Sequence, residues 1–188
     1  KRFSNAHDFI KKRGRELFGA SFAICALWAS VTVFGYSAGD PSLNSAGIPD
    51  PSNVLGKPGA LVADLLLQTL GFACFVPILT FLIWGWRLMR GDPIRHTLRS
   101  ALALIGASVF YAITLSALPV SENWPFMTRM GGFMGTLLLD ALVNWQVLAE
   151  RGVSIAVAGA ICGFVGVILW VTALGLTRQE WKRTVNGF

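Results

Sequence analysis

The chain has 188 residues, of which 54% are hydrophobic and only 14% charged, with a net charge of +6 and a mean hydropathy of +0.58. That is too little polar surface to cover a water-soluble domain, so lipid is the expected solvent. A bilayer core of roughly 30 Å needs about 20 apolar residues in helical form, and four runs reach that length.

Residues 1–16 mix charge with Phe3, Phe9 and Ile10 and read as a basic amphipathic lead-in lying on the membrane surface. The chain starts at Lys1 without Met, as a piece of a longer protein would. The first span is 17–36, longer than the apolar core of a secretory signal, and is therefore read as retained. Along it Gly19, Ala23, Ala26 and Ser30 line one helical face with small residues. Two Asp-Pro-Ser turns follow, at 40–42 and 50–52.

The second span covers 61–86, with a helix start near Pro58, whose fixed φ suits a first helical turn. Asp64 lies one to two turns inside that start, where the helix dipole and the head-group zone favour an anion. Pro77 predicts a kink two thirds of the way along, its ring crowding the carbonyl of Ala73. The run closes on WGWR, which places Trp84 and Trp86 at head-group depth and Arg87 in water. Gly91, Asp92 and Pro93 then turn the chain into the third span, 101–118.

The stretch 131–148 is apolar but interrupted by Thr136, Asp140, Asn144 and Gln146. Gly56, Gly59, Asp64 and Gln68 recur in it as Gly132, Gly135, Asp140 and Asn144, each 76 residues later. It is read as a short outer helix, interfacial or re-entrant, with its polar stripe turned to water or to the second span. The fourth span, 153–176, carries a stronger small-residue stripe through Gly152, Ala156, Gly159, Gly163 and Gly166. Such stripes let backbones approach closely, either within one bundle or between protomers. The tail, 177–188, is polar.

The fold class is thus an all-α integral membrane protein with four transmembrane helices, 17–176, plus the short helix. Thirteen of the sixteen Lys and Arg fall before the first span, between the second and third, or in the tail, among them Arg13, Arg15, Arg87, Arg90, Arg95, Arg99, Lys182 and Arg183. The positive-inside bias then puts both termini in the cytoplasm and the loops 37–60 and 119–152 outside. Cations that flank spans have a topological explanation, so direct nucleic-acid binding is not expected, and the bilayer is the first partner.

Little in the chain suggests catalysis. His7 and His96 stand alone, and Gly56-Lys57 lacks the flanking residues of a phosphate loop. Cys25, Cys74 and Cys162 sit inside apolar runs and read as small buried hydrophobes. Arg129 and Arg151 have Glu122, Asp140 and Glu150 as prospective surface partners. No catalytic, cofactor-binding or metal-binding residue is assigned.

The string GDPSLN at 39–44, then Asn53, Gly56, Gly59 and Ala60, ADLLLQ at 63–68, Gly71, WGWRL at 84–88 and GGFMG at 131–135 resemble the amino-terminal membrane region of the FtsK family of bacterial DNA translocases. The resemblance implies a four-span anchor in the inner membrane at the division septum, contacts with other division proteins, and assembly as a homo-oligomer, a hexamer. It also implies a motor, using ATP and magnesium, outside these residues. Leu43 stands where an aromatic is common in the family, and the second Asp-Pro-Ser is an addition. The competing reading is a small transporter or channel subunit, which would need polar groups converging on an intramembrane cavity.

Overall fold

The computed structural model describes residues 2–42, 50–94, 96–120, 128–145 and 154–176, with the backbone alone for 2–8. The described residues are all helical or turn, without strands: α1 (Arg2–Phe34), α2 (Gly56–Leu70), a 3-10 turn (Gly71–Cys74), α3 (Phe75–Met89), α4 (Thr97–Ser116), α5 (Gly132–Val143) and α6 (Ile155–Ala173). Four segments are long and apolar enough to cross a membrane: Phe9–Phe34, Gly56–Met89, Thr97–Ser116 and Ile155–Ala173. Helix α5 is apolar but shorter than these.

Two antiparallel helix pairs organise the bundle, α1 with α3 and α4 with α6, and these are its most extensive contacts. In the first pair Gly19 and Gly85 meet backbone to backbone: a Cβ on Gly19 would lie 2.8 Å from the Gly85 carbonyl, and one on Gly85 would lie 2.7 Å from the Gly19 carbonyl. Above that crossing Phe22 packs on Phe81 and Trp84, and Ala26 and Val33 join Leu67, Cys74 and Ile78 in one apolar cluster. In the second pair Gly159 faces Ala117, Gly163 faces Thr114 and Gly166 faces Tyr111. Both small-residue stripes are therefore used inside the fold. In hydrocarbon, apolar side chains gain nothing by leaving equally apolar tails, so close backbone packing has to supply the attraction. The exposed faces of α1 and α6 present Ile24, Leu27, Phe34, Ile161 and Phe164.

Several expectations are corrected. The basic lead-in is continuous with the first span: α1 runs unbroken from Arg2 to Phe34, because no proline or paired glycine interrupts it and Arg13 pairs with Glu16 one turn on, at 2.6 Å. The second span is broken not by a kink at Pro77 but ahead of it, by the 3-10 turn that begins at Gly71. Pro77 stands in the first turn of α3, where its missing N–H would have had no helical partner. Trp84 is buried inside the bundle, while Trp86 points outward with Arg90 over its ring. Of the cysteines, Cys74 and Cys162 are buried but Cys25 is exposed.

Candidate functional site

Call the end of the bundle that carries Arg87 and Arg90 the basic end, and the end formed by 35–60 and 128–145 the loop end. At the loop end the chain leaving α1 folds back over α2. Asp40 lies beneath the second Asp-Pro-Ser turn, accepting hydrogen bonds from the backbone N–H of Ser52 at 2.7 Å and of Asn53 at 3.0 Å. Asn53, also buried, donates from Nδ2 to the Thr32 carbonyl at 2.9 Å, so it satisfies an acceptor in the last turn of α1. Its Oδ1 accepts from the Leu55 N–H at 3.1 Å. Gly59 leaves room for that amide, since a Cβ there would run into Asn53 Oδ1.

Beside this clasp is a polar cavity of about 110 Å³ lined by Tyr36, Ser37, Asp40, Ser42, Asp64 and Gln68, among others. Asp64 is only 5% exposed, and Gln68 Nε2 donates to its Oδ1 at 2.8 Å. The carboxylate expected among head groups is thus enclosed by the protein's own loop. Burial, followed by the charges of Asp64 and Asp40, pushes the Tyr36 phenol above its ordinary value, so the phenol keeps its proton.

Helix α5 enters the same end. Gly71 and Gly132 touch through their backbones, and Phe72 N–H donates to the Met130 carbonyl at 2.9 Å. Gly131 and Gly135 press on the Ala112 carbonyl and Ser116 Oγ of α4. Four of the predicted residues, Gly59, Asp64, Gly132 and Gly135, are buried in these contacts. Gly56, Gly159, Gly163 and Gly166 serve turns or helix crossings, whereas Gln68, Asp140 and Asn144 are exposed.

The 76-residue correspondence is geometric as well as textual. Gly56 and Gly132 open their helices with φ of 65° and 68°, and their N–H groups donate to Asn53 O and Arg129 O. Asn53 and Arg129 are themselves 76 apart, and each donates its side chain to the end of the preceding helix, Asn53 to Thr32 O and Arg129 to Ser116 O at 3.3 Å. Arg129 therefore caps a helix; its prospective partners Glu122 and Glu150 lie outside the described residues. The units differ in cover: Asp64 is enclosed, whereas Asp140 is exposed. Sequence reading noticed the glycines and acids but missed that Asn53 and Arg129 correspond, because their shared task depends on hydrogen-bond geometry rather than residue type.

At the basic end, the arginines assigned to topology divide. Arg13 is exposed and pairs with Glu16, and Arg99 is exposed. Arg15 donates to the Gly91 carbonyl at 3.0 Å. Arg87, expected in water, is 7% exposed and reaches the Gly175 carbonyl at 3.4 Å, because its position on α3 faces inward with Trp84. Cations at helix C-termini satisfy the last carbonyls and complement the dipole. Arg95, Lys182 and Arg183 lie outside the described residues. Among the described residues no three His, Cys, Asp or Glu converge to hold a metal ion.

The α4–α6 crossing yields a direct prediction. Gly159→Ala drives a methyl group into Ala117 and should lower unfolding free energy by about 1–3 kcal/mol, read from denaturant titration in detergent.

Residues 11–181 match the family described as the 4TM region of DNA translocase FtsK/SpoIIIE. A DNA translocase FtsK of Azospirillum brasilense is 34% identical over 181 residues, 95% of this chain and 28% of that protein. The Bradyrhizobium diazoefficiens protein of the same name is 35% identical over 70% of the chain and 16% of its own length, and the Caulobacter vibrioides one 32% over 77% and 18%. No solved structure matches. The chain thus spans under a third of these relatives, and it is an inner-membrane protein. On this evidence the chain belongs to the FtsK/SpoIIIE family of DNA translocases, of which it is the four-span membrane region.

Proposed function

We propose that this region anchors a septal DNA translocase in the inner membrane and is the platform on which it assembles and meets other division proteins. The observation that carries the reading is the match of residues 11–181 to the membrane region of proteins named for DNA translocation. The geometry agrees with an anchor: helix pairs packed through glycine contacts form a bundle in which the buried Asp40 and Asn53 are engaged in clasping and capping. The motor, with its ATP and magnesium, belongs to the remainder of the full-length protein. Both termini are assigned to the cytoplasm by the cation distribution. With both small-residue stripes used internally, contacts between protomers in a hexamer fall to the exposed apolar faces of α1 and α6. The exposed residues Asp140 and Asn144 are available to division proteins from the loop end.

A fluorescent fusion of residues 1–188 in dividing cells should gather at the septum. Uniform membrane fluorescence would count against the anchor reading, and periplasmic activity of a phosphatase tag after Phe188 would overturn the orientation.

A further inference from the structure

Helices α3 and α6 are not packed backbone against backbone, yet long side chains bridge them at three successive levels. Trp170 Nε1 donates to Thr80 Oγ1 at 3.0 Å, Trp84 Nε1 to the Ala173 carbonyl at 3.0 Å, and Arg87 Nη2 to the Gly175 carbonyl at 3.4 Å. Thr80, Trp84, Arg87 and Ala173 are all buried, so water is poorly placed to replace the bonds if they break. Ala173 also shares an apolar cluster with Trp84, Ala103 and Leu104. Ala173 ends α6, where helical carbonyls lack partners within their own helix, and Gly175 follows two residues beyond. At the opposite end of the bundle the 3-10 turn ahead of α3 meets α5 through the Gly71–Gly132 backbone contact, and α5 in turn packs on α4 through Gly131 and Gly135. The pairs are therefore joined through α5 at the loop end and through α3 against α4, and the three side-chain bonds add a direct tie from α3 to α6 toward the basic end.

We propose that this α3–α6 seam is the joint that carries tension from the exit of the last span into the α1–α3 pair. The inference rests on the anchor reading, in which a motor working on DNA pulls on the chain beyond α6. Such a pull acts first on Gly175 and Ala173, and only later on the Gly166, Gly163 and Gly159 contacts with α4. Bonds loaded one after another yield one after another, so the bonds nearest the exit set the force at which peeling begins. Arg87 and Trp84 hold those bonds, and they transmit the load to α3, which is itself locked to α1 at Gly19 and Gly85.

The test applies force to the full-length protein in lipid bicelles, tethered at its N-terminus and pulled through a handle inserted after Phe188 in magnetic tweezers. Trp84→Phe and Arg87→Met should each speed the first extraction step from the α6 end by about tenfold at fixed force. Ile161→Ala, on the exposed face of α6, should leave that step unchanged. Thr80→Val, which removes the acceptor for Trp170, should act on the following step. Unchanged first-step rates in the Trp84 and Arg87 variants, or equal acceleration by Ile161→Ala, would overturn the proposal. Melting without force is measured in parallel, so a variant that melts early yet peels at the normal rate also counts against it. Septal fluorescence of the same variants keeps the two readings apart: a protein that reaches the septum and peels unchanged refutes the seam alone.

Discussion

Gly71→Ala is expected to dismantle the loop end of the bundle, lowering the unfolding free energy by about 4 kcal/mol. Two effects combine at this position. The backbone sits at φ 58°, ψ −143°, a region essentially closed to residues with a Cβ, at a cost of roughly 1–3 kcal/mol. A methyl group there would also run into the Met130 carbonyl and the Gly132 nitrogen, both backbone atoms that have no rotamer through which to yield. Relaxing the clash means pulling α5 away from the α2–α3 break and losing the Phe72 to Met130 hydrogen bond. Gly14→Ala is the matched control: a Cβ at Gly14 meets nothing within 4 Å and lies mid-helix, so the change should stabilise by up to about 1 kcal/mol. Denaturant titration monitored by tryptophan fluorescence separates the two, and equal effects would show that the junction does not constrain the fold.

Asn53→Ala should cost about 2–3 kcal/mol, because it leaves the Thr32 carbonyl and the Leu55 N–H without their partner in a buried setting. Asn53→Asp should cost at least as much. It keeps an acceptor for Leu55 but loses the donor to Thr32 and brings a second carboxylate next to Asp40, already bound to the Asn53 backbone. The partnership with Gly59 supplies a further check. Gly59→Ala alone pushes a methyl group into Asn53 Oδ1, whereas in the Asn53→Ala background that obstacle is gone. The double variant should therefore be less destabilised than the sum of the singles, a coupling that a double-mutant cycle measures directly. Additive losses would mean that the clasp and the glycine act independently.

These two sites also show what was legible before the fold was known. Gly71 belongs to the string that carried the family resemblance, yet its sequence neighbourhood made Pro77 the obvious breaker. Proline announces itself locally by its missing N–H; a glycine that must adopt positive φ is recognisable only when its neighbour, here Met130 to Gly132, is known. Asp64 was expected near a helix start but stands midway along α2, and its enclosure depends on residues 36–42 folding back over that helix. Arg87 had the right charge for a membrane edge, and only its rotation on α3 turned it inward to Gly175.

What the sequence determined by itself was the number and approximate place of the apolar helices, the all-α class and the family. The helices and the class follow from sums over neighbouring residues, since a run of about 20 apolar side chains prefers hydrocarbon whatever lies elsewhere in the chain, whereas the family follows from particular strings such as ADLLLQ and WGWRL. The tertiary structure alone decided which small-residue face met which helix, that the second span breaks at Gly71, and that two expected surface groups, Asp64 and Arg87, are enclosed. Each of those outcomes is a meeting between residues far apart in sequence, such as 32 with 53, 71 with 132 and 87 with 175. In lipid such meetings are selected by backbone fit and hydrogen-bond satisfaction rather than by hydropathy, which is nearly uniform along the spans.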